Sequence, residues 1–122
     1  MKSRTFNIPI YDFKVTLVEV ESKEDTKTIL PILKSVHADP ENIENELKYI
    51  EEGVIDGAGT YSNLDMKKFV VVLHPTSSKL IRLEILGHEK RHIEDYILQK
   101  CHIIDIEASA YLAGYLTKKL FI

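Results

Sequence analysis

Apolar and polar residues alternate near the start of the chain in a pattern that predicts a β-strand. In residues 11–20, Phe13, Val15 and Leu17 alternate with polar side chains. This period of two is typical of a strand with one buried face. Residues 26–37 carry apolar side chains at helical spacing instead, so we expect a helix there.

A second helix is predicted from the residues at its ends. Asp39 is suited to cap a helix, and Pro40 is suited to its first position. We expect this helix to run to about Glu52 and to end at Gly53. Its many glutamates are expected to face solvent.

Two further strands are predicted to form a hairpin. Residues 57–61 and residues 67–73 have strand-like composition, and the residues between them, 63–66, suit a turn. Residues 69–73 are continuously apolar, which is typical of a buried strand.

The last part of the chain predicts two helices joined by a short connection. The first covers residues 79–99 and the second covers residues 105–120, with Cys101 and His102 between them. The predicted fold is therefore α+β. We expect a single domain over residues 1–122, with a sheet of about three strands and a C-terminal helical hairpin.

Composition narrows the function without defining it. The chain has 122 residues, 44% hydrophobic and 29% charged, with a net charge of −3, so nothing favours a nucleic-acid partner. Cys101 is the single cysteine and cannot form an internal disulfide. The first residues lack an apolar signal segment, and no stretch reaches the roughly 18 apolar residues of a membrane span. These features predict a soluble cytoplasmic protein without a membrane partner; its oligomeric state stays open.

The candidate chemistry lies in the first helix of the C-terminal hairpin. His88, Glu89 and His92 form an HExxH motif there. Residues four apart share one face of a helix, so the two imidazoles can bind one metal ion. Glu89 would then lie beside the water that such an ion activates. A charged amphipathic helix can also contain these letters by accident, and a structural hairpin without metal is one alternative.

A third metal ligand is expected after the motif. Glu107, fifteen residues beyond His92, is the preferred candidate because an antiparallel hairpin could bring the two together. His102 is the main alternative. The remaining acidic residues close by in sequence are Glu94, Asp95 and Asp105. We expect the other two histidines, His37 and His74, to be structural or solvated.

The second half of the chain resembles a known group of proteins. The pattern GHExxH over residues 87–92, followed by EAxAYLxGYL over residues 107–116, resembles zincin metallopeptidases with a glutamate third ligand. More narrowly, it is similar to small zincin-like proteins of bacteriophages and mobile elements. The resemblance implies a peptide or protein substrate and a zinc ion bound by His88, His92 and Glu107. It also implies that Glu89 acts as the general base.

Two tyrosines are candidates to stabilise the oxyanion formed during peptide hydrolysis. Tyr96 lies one helical turn beyond His92, and Tyr111 lies one turn beyond Glu107. The alternative, which we prefer for each tyrosine, is a core aromatic with its hydroxyl at the surface. The chain departs from the family pattern at Lys90 and Arg91, where uncharged residues are usual. A zinc-binding or protein-interaction domain without catalysis is therefore the alternative function.

Overall fold

The computed structural model describes all residues from Met1 to Ile122. Four strands form one sheet: β1 (Lys2–Ile8), β2 (Phe13–Glu19), β3 (Ala58–Asn63) and β4 (Lys68–Leu73). The α-helices are α1 (Thr26–Ser35), α2 (Pro40–Glu51), α3 (Lys79–Lys100) and α4 (Ile106–Phe121). A short 3-10 turn, Lys23–Asp25, precedes α1. The predicted α+β class is confirmed.

Two hairpins joined in the middle make up the sheet. The spatial order is β1-β2-β4-β3. β1 pairs with β2 and β3 pairs with β4 in antiparallel fashion, whereas β2 and β4 are parallel. β3 is thus an edge strand with one paired side and one open side.

Helices cover both faces of the sheet, and each face has its own core. Phe13, Leu17 and Phe69 face α3 and α4, and the core there also contains Leu86, Ile93, Ile97, Leu112 and Leu116. Val18, Val70 and Val72 face α1 and α2, and the core there also contains Ile29, Leu33, Ile43 and Ile50. Because β4 is buried on both faces, its residues from Phe69 to Leu73 are continuously apolar.

Capping side chains start the helices at the predicted places. The Asp39 carboxylate accepts a hydrogen bond from the Glu41 backbone N–H at 2.9 Å, and Pro40 occupies the first position of α2. Gly53, just after α2, has a φ of +71°, a conformation that favours glycine. At α4, Asp105 accepts hydrogen bonds from the backbone N–H groups of Glu107 and Ala108.

The sheet has four strands, so the expected number of about three is corrected. The missed strand is β1, which lies at an edge of the sheet. Only Ile8 of its side chains is buried, and most of the others are exposed. A strand with so little buried surface has no clear apolar alternation to reveal it.

The helical hairpin spans one face of the sheet. α3 contacts β3, α4 contacts β1, and the two helices pack against each other. α4 therefore lies on the flank of α3 that is away from β3. None of the helices is both long enough and apolar enough to cross a membrane.

Candidate metal centre

His88 and His92 converge on one face of α3. Their Nε2 atoms are 3.0 Å apart. The ring centroids are 4.7 Å apart, and the rings are nearly perpendicular. Both side chains are exposed. Two imidazole nitrogens directed at one point from positions i and i+4 are a suitable pair of donors for a transition-metal ion.

The buried side of α3 fixes the direction of this pair. Leu86, Ile93 and Ile97 are fully buried against the sheet and α4. Their packing sets the rotation of the helix about its own axis. The histidines consequently emerge on the flank that faces β3, where a cleft opens between the helix and the edge strand.

Glu89 lies inside this cleft, beside the histidine pair. Its side chain is 5% exposed. The Thr60 hydroxyl, on β3, donates a hydrogen bond to the Glu89 carboxylate. The cleft has a volume of about 260 Å³ and is lined by Ala58, Gly59, Thr60, His88, Glu89, His92 and Tyr96. The general-base candidate and both histidine candidates therefore share one open cavity.

Thr60 was not a candidate from the sequence. It lies far before the motif, and only the placement of β3 at the sheet edge brings it to Glu89. The only available signal was a short polar side chain between Gly59 and Tyr61 in a predicted strand.

Of the two tyrosine candidates, Tyr96 reaches the cleft. It lines the cavity beside His92, and its ring stacks on Phe69 with centroids 6.1 Å apart. The packing against Phe69 limits the movement of the ring, so the phenol is held at the cleft wall.

Tyr111 lies elsewhere. It is 71% exposed and borders a shallow groove with Ile8, Tyr11 and Tyr115. This groove lies on the β1 side of the hairpin, so the structure does not bring Tyr111 together with His88 and His92.

Glu107 is also apart from the histidine pair. It is exposed in the first turn of α4, and no three His, Cys, Asp or Glu side chains are grouped closely enough to hold a metal ion. Two physical reasons account for this. Counted outward from a turn at about residue 103, the position of α4 level with His92 is Gly114, roughly 10 Å along the helix from Glu107. In addition, α4 packs on the opposite flank of α3 from the cleft.

The alternative ligands do not complete the set either. His102 is exposed in the turn after α3, with a φ of 53°. Glu94 and Asp95 are engaged by basic side chains of the same helix. His37 is exposed. His74 is buried, and its Nε2 atom forms a hydrogen bond of 2.8 Å with the Glu46 carboxylate.

Lys90 and Arg91 do not face the cleft. Lys90 forms an ion pair with the buried Glu94. Arg91 lies 3.5 Å from Glu94 and 3.2 Å from Asp95. Lys90 is thus largely covered beside Glu94, whereas Arg91 is 67% exposed, and both leave the histidine pair accessible.

Chemically, the cleft combines two convergent nitrogen donors with a neighbouring carboxylate whose position is set by a hydroxyl group. No protein-family model, curated protein or solved structure matches this chain. The assignment of function consequently depends on the residues of the cleft themselves.

Proposed function

We propose that this chain is a zinc-dependent metallopeptidase of the zincin type, with His88 and His92 as metal ligands and Glu89 as general base. The observation that carries the proposal is the convergence of the two Nε2 atoms, 3.0 Å apart, in a cleft that also contains Glu89. The convergence of the two imidazoles is not needed for packing, because both are exposed.

The donor chemistry fits zinc in part. Imidazole nitrogens are common zinc ligands, and a helical i, i+4 pair is a frequent way to supply two of them. Catalytic zinc sites use three protein ligands, so the pair of histidines lacks the third protein ligand. When bound here, zinc would supply Lewis acidity towards water and a carbonyl oxygen.

Glu89 is suited to move a proton. Its carboxylate is largely removed from solvent, yet it borders the open cleft. The hydrogen bond from Thr60 holds it in one orientation. A carboxylate fixed within reach of a reacting water can accept a proton and later return it to a leaving amine.

The open side of β3 offers a place for an extended peptide. The Gly57 carbonyl accepts a hydrogen bond from the His74 N–H of the neighbouring chain segment. By the alternation of an antiparallel ladder, the backbone groups of Ala58 and Thr60 then point outwards. A peptide added along this edge would pass beside Glu89.

A second candidate function is zinc binding without catalysis. The observation that favours it is the separation of Glu107 from the histidine pair, which leaves the set of protein ligands incomplete. In this case a partner molecule would complete the coordination, and the cleft would be a binding site.

Metal analysis tests the first part of the proposal. Metal-stripped wild type should take up one zinc ion per chain by isothermal titration calorimetry, and His88→Ala should abolish this uptake. His37→Ala is the matched control, because His37 is an exposed histidine remote from the motif. No zinc uptake by the wild type would reject both candidate functions.

Cleavage of a peptide library separates the two candidates. The metallopeptidase proposal predicts cleavage by zinc-loaded wild type and none by Glu89→Gln, with equal zinc content in both. Absence of cleavage by fully loaded wild type would reject the peptidase in favour of the binding domain.

A further inference from the structure

A second polar network lies on the other face of the sheet, behind the cleft. The Tyr61 hydroxyl donates a hydrogen bond to Glu46 Oε1 at 2.9 Å. The other carboxylate oxygen of Glu46 lies 2.8 Å from His74 Nε2. Glu46 and His74 are 2% and 4% exposed. The expectation that the glutamates of α2 face solvent is therefore wrong for Glu46. The network joins β3, α2 and the segment that follows β4.

Two consecutive residues hold β3 from opposite faces. Thr60 points towards α3 and donates a hydrogen bond to Glu89, whereas Tyr61 points towards α2 and donates a hydrogen bond to Glu46. These are the only side-chain hydrogen bonds from β3 to residues outside the β3–β4 hairpin. One side of β3 has no neighbouring strand. These two hydrogen bonds therefore contribute more to the position of β3 than similar bonds would contribute to the position of a central strand.

Local packing accommodates this arrangement. A Cβ atom at Gly59 would lie 3.1 Å from the Tyr61 hydroxyl and 3.3 Å from Glu46 Oε1. Those separations are tighter than ordinary contacts, so glycine leaves the room through which Tyr61 reaches Glu46. Burial, followed by the charge and hydrogen bond of Glu46, raises the pKa of Tyr61, and the Glu89 charge adds to the shift.

The network includes a group that lowers the free energy of unfolding. The Nδ1 atom of His74 is buried and has no hydrogen-bond partner. An unsatisfied buried polar atom is destabilising, and apolar replacements of buried polar clusters are often at least as stable. A positional role accounts for a cluster of this kind better than a contribution to stability.

We infer that Tyr61, Glu46 and His74 are positioning residues for the proposed metal centre, holding β3 so that the Thr60 hydroxyl stays on the Glu89 carboxylate. This inference rests on the proposed function for its catalytic consequence. Its structural part, the coupling of Tyr61 to the orientation of Thr60, applies to the metal-free protein as well.

Tyr61→Phe is the main test, because it removes the hydroxyl and keeps the ring. Tyr115→Phe is the matched control: Tyr115 also donates a single hydrogen bond, to the Asn7 carbonyl at 2.7 Å, at the opposite edge of the sheet. Glu46→Gln is a milder variant, since it keeps an oxygen for Tyr61 while removing the charge.

The first readout is the side-chain rotamer of Thr60 in metal-free protein, from three-bond NMR couplings to its methyl carbon. We expect a single rotamer in wild type and in Tyr115→Phe, averaging in Tyr61→Phe, and partial averaging in Glu46→Gln. A loss of stability alone would not change this rotamer in the folded state. A single Thr60 rotamer in both Tyr61→Phe and Glu46→Gln would overturn the inference.

The second readout is peptide hydrolysis by the zinc-loaded protein. Tyr61→Phe should lower kcat by about tenfold to hundredfold with little change in KM, as expected when a catalytic group is misplaced. An equal loss in Tyr115→Phe would overturn the inference. Should wild type bind no zinc or cleave no peptide, the proposed function fails, and the Thr60 rotamer still decides the structural coupling.

Discussion

Thr60 donates a hydrogen bond across the cleft to the carboxylate of Glu89, joining the edge strand to the motif helix. The bond connects two residues that are 29 positions apart. It gives a buried carboxylate a partner, and it fixes the width of the cleft at the level of the histidine pair.

Replacing Thr60 by valine should destabilise the protein. Valine has nearly the same shape but no donor, so Glu89 loses its hydrogen bond, and we expect a cost of about 1–2 kcal/mol in unfolding free energy. Urea denaturation measures this change. Thr5→Val is the control, because Thr5 and Thr16 share an exposed hydrogen bond of 3.0 Å. A cost for Thr60→Val no larger than that of the control would show that the bond to Glu89 contributes no more to stability than an exposed hydrogen bond, contrary to this prediction.

Removal of the Glu107 side chain should leave zinc affinity almost unchanged. The resemblance to zincins implies that Glu107 is the third ligand, whereas its place on α4 separates it from the histidine pair. We expect Glu107→Ala to alter the zinc Kd by less than about threefold, and His92→Ala to raise it by more than about hundredfold. Titration calorimetry of both variants measures this. A large loss in Glu107→Ala would mean that α4 shifts towards the cleft when metal binds.

We expect Lys90 to contribute to the unfolding free energy and not to the zinc affinity. Its partner Glu94 has a side chain only 6% exposed, so Lys90→Met leaves a buried carboxylate without its closest cation. We expect a loss of about 1–3 kcal/mol in unfolding free energy. Arg91→Ala, at a side chain 67% exposed, should cost less than about 1 kcal/mol. Both variants should retain the zinc affinity of the wild type, and a loss of zinc binding in Lys90→Met would contradict the separation of the two roles.

Stability should fall at alkaline pH in a way that depends on Tyr61. Burial, and then the Glu46 carboxylate, raise the pKa of this phenol in the folded protein. The folded state therefore keeps the proton when the unfolded chain ionises near pH 10. The stabilisation is complete below about pH 10 and is lost as the pH rises above it. Urea unfolding between about pH 8 and 11 should show a shallower decline for Tyr61→Phe than for wild type or Tyr115→Phe. Parallel curves for all three proteins would contradict the assignment.

Patterns local in the chain were predicted well, because local chemistry determines them. The cap at Asp39, the proline at Pro40 and the stop at Gly53 define α2 without help from the rest of the fold. The apolar run at residues 69–73 likewise reflects a strand covered on both faces. The first strand escaped prediction because its side chains, other than Ile8, contribute little to the core.

The site was predictable only where it depends on a single helix. The spacing of His88 and His92 places both imidazoles on one face whatever the rest of the chain does. The position of Glu107 depends on which flank of α3 receives α4, and sequence separation carries no information on that choice. Thr60 depends on the order of strands in the sheet, which the pattern of apolar residues does not determine.

The pairing of β2 with β4 has a consequence for folding kinetics. Its partners are far apart in sequence, as in Lys14 with Lys68, whereas each antiparallel hairpin closes a short loop. Closing the long loop lowers the conformational entropy of the chain before the parallel contacts form. Joining the two hairpins should therefore limit the folding rate. Every residue of the cleft lies between Ala58 and Tyr96, within the second hairpin and the helix that follows it. The contacts of the cleft are local to that unit and are expected to form before the two hairpins join, so substitutions that weaken them should lower mainly the folding rate. Substitutions that weaken contacts made only after the hairpins have joined should raise mainly the unfolding rate.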